Sequence, residues 1–136
     1  MEKQITILIA DDNSFMRENL RSVISLMKNA KLIGEAMNGE EAIKLAKELL
    51  PDIILMDINM APVNGFEATR KIIKDHPATK IIGLSDNKKI SYIKNMLKLG
   101  AMGYVVKSSS FQIIIEAIMK VAAGEKYLDK EIRGDL

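Results

Sequence analysis

Four strand-like segments of this chain break off on residues that can handle charge. Residues 5–10 run into the pair Asp11 and Asp12, 53–56 into Asp57, 80–84 into Ser85, and 103–106 into Lys107. A single aspartate in such a place is ordinarily a turn or cap residue, because its side chain bonds neighbouring backbone. Three carboxylates brought together are different: they repel, raise one another's pKa and require a cation. The chain has no cysteine and one histidine, His76, so thiolate ligands are excluded and a zinc cage has no donor set. The remaining donors are oxygens. These suit Mg²⁺, a hard cation that takes one or two carboxylates, keeps several waters and accepts a phosphate oxygen. Ser85 and Lys107 add a hydroxyl and an ammonium, the donors a phosphoryl group needs once part of its charge is neutralised. A carboxylate in such a site can act as a nucleophile and form an aspartyl phosphate.

The intervening sequence must bring these ends together. Asn13 or Ser14 can cap a helix that keeps Met16, Leu20, Val23, Ile24 and Met27 on one face. Residues 32–36 form a short second strand, and Asn38-Gly39 turns into a helix with Ala42, Ile43, Leu45, Ala46 and Leu49. Pro51 stops that helix and feeds the central stretch, whose four consecutive apolar residues Ile53, Ile54, Leu55 and Met56 read as a strand covered on both faces. A loop spans 60–65, and a helix over 66–75 closes at His76-Pro77. A helix over 87–99 ends at Gly100, a natural C′ residue. The last helix, over 111–123, follows caps offered by 108–110, with Phe111, Ile114, Ile115, Ile118, Val121 and Ala122 as its core stripe. Ile113 and Ala117 then face away, toward solvent or a partner.

Five strands alternating with five helices predict right-handed βαβ crossovers and a parallel sheet with helices on both faces. The expected fold is a flavodoxin-like (βα)5 three-layer sandwich. Its strand order, 2-1-3-4-5, is that of five-stranded doubly wound folds in general and is not dictated by these residues. In that order strands one and three are neighbours, and Asp11, Asp12 and Asp57 share the crevice at their carboxyl ends. Composition agrees with one globular domain: 136 residues, 48% hydrophobic and 28% charged. The net charge of +2, with lysines spread along the chain, makes no case for nucleic-acid binding. There is no signal-peptide apolar core and no apolar run near the roughly 20 residues of a membrane span. A cytoplasmic protein without a membrane partner is expected.

In these features the chain resembles, over nearly its whole length, the receiver domains of two-component response regulators. The resemblance rests on Asp11-Asp12, on Asp57 in Leu-Met-Asp-Ile-Asn, on Ser85, and on Gly-Tyr-Val-Val-Lys ending at Lys107. It implies that Asp57 accepts a phosphoryl group from a sensor histidine kinase. It also implies that Asp12, Asp57 and the backbone carbonyl of Asn59 ligate Mg²⁺, with Asp11 acting partly through water. Ser85 and Lys107 would contact the phosphoryl group, and Tyr104 would move inward with the serine, changing the face of the fourth helix, fifth strand and fifth helix. The resemblance further implies that Asn59 and Asn87 would tune how easily water reaches the phosphoryl group.

Residues 65–72 and 123–128 look like the NarL/FixJ (LuxR-type) subgroup, whose receivers continue through a linker into a DNA-binding helix-turn-helix domain. On that resemblance 1–124 is the receiver and 125–136 a tail, the start of a linker to an output domain that regulates transcription. DNA would be contacted only through that domain, and a homodimer is a further expectation. Three positions depart from the family pattern: Ala61 replaces a proline, with Pro62 one place later; Ser108 follows Lys107; and the acidic Asp86 follows Ser85, where it would affect phosphoryl lifetime.

The expected function is a switch whose only chemistry is self-phosphorylation from phosphodonors and slow autodephosphorylation. An aspartyl-nucleophile phosphohydrolase is the enzymatic alternative, but it needs a second acid two residues after the nucleophile, where this chain has Asn59. A dinucleotide-binding module lacks its glycines after the first strand. A degenerate receiver serving as a dimerisation scaffold is the remaining alternative, kept open by Asp86 and Ala61.

Overall fold

The computed structural model describes residues 4–133. Its elements are β1 (Ile5–Ala10), α1 (Ser14–Ser25), β2 (Ala30–Ala36), α2 (Gly39–Leu49), β3 (Ile53–Asp57), α3 (Gly65–Asp75), β4 (Lys80–Ser85), α4 (Ile90–Lys98), β5 (Gly103–Val106), α5 (Phe111–Ala122), β6 (Tyr127–Leu128) and α6 (Lys130–Arg133). All neighbouring strands pair in parallel, in the order β2-β1-β3-β4-β5-β6. This is the expected doubly wound sheet with one strand added at its edge.

Strand side chains alternate between two faces, and the sheet accordingly feeds two cores. Leu8, Ile54, Met56, Ile81 and Tyr104 pack under α2, α3 and α4 with Ala42, Ala46, Ala68, Ile72 and Ile93. On the other face Ile7, Ile9, Leu55, Ile82 and Val105 pack against α1 and α5 through Leu20, Val23, Ile114 and Ile118. Small residues let the layers close. A Cβ on Gly65 would sit 2.3 Å from the Asp57 carbonyl oxygen, and one on Gly39 would sit 2.2 Å from that of Val63. The helix starts are specified locally. Asn13, Asn38, Asn64 and Ser110 each accept a hydrogen bond from the backbone N–H three residues on.

Three expectations are corrected. The fourth helix begins at Ile90 rather than near Asn87, because local bonds hold the preceding residues in a loop. Asn87 N–H donates to Ser85 Oγ (3.0 Å), and Lys89 N–H donates to Asn87 Oδ1 (2.8 Å). The core stripe of α5 is centred on Ile114, Ala117, Ile118 and Val121, which are buried, while Phe111 is exposed. At 100° per residue this is a turn of roughly 55° from the expected face. It buries Ala117 and leaves Ile113 half-buried against the α1–α5 core, so the pair is not a free surface.

The third correction is the strand count, six rather than five. Gly124, at φ +90°, turns the chain back from α5. Tyr127 and Leu128 then pair with Gly103 and Tyr104 of β5. Residues 127–133, within the stretch 125–136 read as a tail, thus fold onto the sheet edge; residues 134–136 lie outside those described. Ile132, 0% exposed, joins the core that contains Tyr104. Ile132→Ala is expected to lower unfolding free energy by about 2–4 kcal/mol in urea denaturation. A loss under about 0.5 kcal/mol, the range of an ordinary surface substitution, would mean the segment is not part of the fold.

Candidate functional site

Strand register places the reactive residues. Ala10 pairs with Met56, so Asp11 and Asp57 leave their strands side by side. Asp57 pairs with Leu84 and Ser85 with Val106, so Ser85 lies one step beyond Asp57, and Lys107 one step beyond Ser85. The four predicted strand ends therefore meet at one rim of the sheet, where the order reverses between β2-β1 and β3-β4.

The carboxylates of Asp11, Asp12 and Asp57 offer oxygens that all lie within 4.8 Å of one another. Asp11 and Asp57 are buried and Asp12 is exposed. Lys107 Nζ lies 2.9 Å from Asp11 Oδ2 and 3.3 Å from Asp57 Oδ2, joining the two buried acids through one ammonium. Their outer oxygens are held by short turns: Asn13 N–H donates to Asp11 Oδ1 (2.9 Å), and Asn59 N–H donates to Asp57 Oδ1 (3.1 Å). Burial first, and then repulsion from Asp11, push the Asp57 carboxyl from its ordinary 3.8 up to about 6, against the pull of Lys107 and the Asn59 N–H. Burial pulls the Lys107 ammonium down, but the adjoining Asp11 and Asp57 outweigh it and hold its pKa above the ordinary value. Lysine alone does not balance the acids.

Two observations fit a hard divalent cation. The donor set is all oxygen, and Asp11 Oδ2 is a buried acceptor without an aligned hydrogen bond despite the nearby ammonium. Ser85 is fully buried, its Oγ accepting from Asn87 N–H. Tyr104 is also fully buried, and its hydroxyl donates to the Asn87 carbonyl (2.7 Å). Burial raises its pKa above the ordinary tyrosine value, with the neighbouring Ser85 hydroxyl acting in the opposite direction. Asn59 and Asp86 are exposed, and Asn87 is half-buried. Asp86 lines, with Asn13, Phe15, Asn19 and Lys107, a shallow cleft of about 230 Å³ that opens beside the site. A second cleft of about 250 Å³, lined by Asp52 and Lys80, opens at the opposite ends of the strands and takes no part.

Two polar residues at the site had no distinct signal in the sequence. Arg17 donates to the Asp11 carbonyl (2.8 Å) and pairs with Glu35 (3.5 Å), clamping the acidic loop to β2. Asp129, 1% exposed, accepts from Val106 N–H (3.0 Å) and from the Ser109 hydroxyl, on either side of Lys107. Its partners are more than twenty residues away along the chain or nearly so. The only local sign was an aspartate ahead of Lys130-Glu131-Ile132, which reads as a helix start.

Comparison with known proteins gives a consistent result. The response regulator receiver domain family matches residues 7–119. The transcriptional regulatory protein DegU of Brevibacillus brevis is 37% identical over 135 residues, covering 99% of this chain and 57% of its own length. The chain thus spans less than two thirds of that relative. Among solved structures, a LuxR-family two-component response regulator from Aurantimonas sp. SI85-9A1 superposes with a TM-score of 0.93 at 30% identity, covering 97% of this chain and 94% of that one. The signal receiver domain of the putative response regulator NarL from Mycobacterium tuberculosis gives 0.86 at 26% identity, covering 91% and 100%.

The raised Asp57 pKa has a consequence for stability. The folded chain holds that proton more tightly than an unfolded chain, so ionising Asp57 opposes folding above pH 6, and the effect vanishes as the pH falls from 6 toward 4. In metal-free buffer Asp57→Asn is expected to raise unfolding free energy by about 1–3 kcal/mol at pH 7.5, with the gain gone at pH 4. A variant less stable than wild type at pH 7.5, or a gain independent of pH, would contradict this electrostatic reading.

Proposed function

The chain belongs to the response regulator receiver domain family, of the NarL/LuxR type, and on that premise we propose that it is the phosphoacceptor module of a two-component switch, with Asp57 as the acceptor. The observation that supports this most is the single ammonium of Lys107 set between the two buried carboxylates of Asp11 and Asp57. An oxygen of Asp57 attacks the phosphorus of a donor, a phosphohistidine of a sensor kinase or a small acyl phosphate. The bond from phosphorus to the donor breaks, and the electron pair leaves with the imidazole or acetate. Lys107, already beside the attacking carboxylate, pairs with an oxygen of the transferred group. Ser85 offers its hydroxyl from the neighbouring strand end. Asp12, Asp57 and the Asn59 carbonyl would hold Mg²⁺, with Asp11 through water. The bound cation would offset the negative charge of acceptor and phosphoryl oxygens.

The switch follows from what Ser85 touches. Movement of its hydroxyl toward a phosphoryl group disturbs the bond it accepts from Asn87 N–H, and through Asn87 the bond its carbonyl accepts from the Tyr104 hydroxyl, and so shifts the equilibrium of the face built by α4, β5 and α5. The chain acts as a switch and not as an enzyme, and its output is regulation of transcription through a helix-turn-helix domain of the whole protein. A sensor histidine kinase is the proposed phosphodonor in a cytoplasmic setting; among the described residues no helix is long and apolar enough to cross a membrane. Exposed Leu26, just past the end of α1, and Met119, on the adjoining α5, favour that pair of helices for a homodimer.

Intact-mass spectrometry after incubation with acetyl phosphate and Mg²⁺ is expected to show one phosphoryl adduct, absent in Asp57→Asn and absent without the metal. Lys107→Ala is expected to form it at least about tenfold more slowly. A folded wild-type chain that takes up no phosphoryl group leaves the dimerisation scaffold as the better reading.

A further inference from the structure

The segment after α5 is fastened to both loops that bear the phosphoryl-contacting residues. Asp129 is a carboxylate buried to 1% exposure, and a charge so placed needs partners. It finds them around Lys107. Oδ2 accepts from Val106 N–H (3.0 Å), one residue before the lysine, and from the Ser109 hydroxyl, two residues after it. Oδ1 accepts from Glu131 N–H (3.1 Å) in the first turn of α6, and Asp129 N–H donates to the carbonyl of Tyr104 (3.0 Å). Glu131 in turn pairs with Lys88 (3.0 Å) in the β4–α4 loop that follows Ser85. Ile132 anchors the same segment in the core under α4.

We propose that Asp129 is a positioning residue for Lys107, and that through it residues 127–133 are coupled to occupancy of the phosphorylation site. This rests on the receiver reading above and adds a route by which the site is read. The backbone that aims Lys107 is held by a carboxylate on the departing chain, so a lysine loop drawn toward a phosphoryl group strains the Asp129 bonds. Binding free energies are reciprocal. Loosening the segment therefore alters how well Lys107 serves Asp57, and filling the site alters how firmly 127–133 are held.

The test compares wild type with Ser109→Ala, Ser109→Thr and Asp129→Asn. Three quantities are read: the rate of phosphorylation by acetyl phosphate, Mg²⁺ affinity, and amide hydrogen exchange at 127–133 with and without Mg²⁺ and beryllofluoride. Ser109→Ala is expected to slow phosphorylation about fivefold, the factor one net hydrogen bond carries. Ser109→Thr, which keeps the hydroxyl, retains the wild-type rate. Mg²⁺ affinity stays within about twofold in both, because Lys107 positioning acts on the phosphoryl group and general loosening would lower the two together. In wild type the ligands change exchange at 127–133 by about fivefold, a response reduced in Asp129→Asn. Equal rates in Ser109→Ala and wild type, or exchange at 127–133 unmoved by beryllofluoride in a wild-type chain that phosphorylates normally, overturns the coupling alone. A wild-type chain that never phosphorylates overturns the receiver reading and the coupling with it.

Discussion

The structure turns on one ammonium between two buried carboxylates. Three acids and one lysine leave the cluster of Asp11, Asp12, Asp57 and Lys107 with two net negative charges, in a place where two of the acids have almost no water. Like charges a few ångströms apart in low dielectric interact by several kcal/mol, and a single cation cannot cancel both. Burial of Asp57, and then repulsion from Asp11, leave its pKa raised in spite of the lysine. A site with two unbalanced negative charges and only oxygen donors is complementary to a divalent hard cation, and then to a group that brings more oxygens. The same tension that opposes folding in the bare chain makes the site receptive.

Everything else keeps that cluster in place without relieving it. Parallel pairing of β1 with β3 sets the two buried acids side by side, and the register steps through β4 and β5 bring Ser85 and Lys107 to the same rim. Gly65 lets α3 approach the Asp57 carbonyl so closely that any side chain would collide. Arg17 holds Asp11 from the β2 side, and Asp129 holds the Lys107 loop from the β6 side, so each end of the rim has its own clamp. The two clamps come from elements outside the four strands that carry the chemistry.

Much of this was legible in the sequence, and the reasons are specific. Apolar runs that stop on Asp11, Asp57, Ser85 and Lys107 mark strand ends, since the middle of a strand covered on both faces is apolar. Asn13, Asn38, Asn64 and Ser110 cap the helices they precede, as short polar residues do. The α5 face departs from the sequence pattern because Phe111, the largest apolar residue of its first turn, is exposed, while small Ala117 is buried. A strand of two residues carries no periodicity, so β6 was invisible and its neighbours resembled a linker. Asp129 and Arg17 act on Val106, Ser109 and Glu35, partners chosen by the fold and by no local pattern.

The proposed binding of a divalent cation at the acidic rim, through Asp57 and its neighbours, is tested most directly by urea unfolding of wild type and Asp57→Asn across a Mg²⁺ titration at pH 7.5. A ligand bound only by the folded chain stabilises it by about 2.7 kcal/mol at one hundred times its Kd. Wild-type stability is predicted to rise along that logarithmic curve while Asp57→Asn stays nearly flat. A wild-type chain unmoved by Mg²⁺, or an equal rise in both, contradicts it.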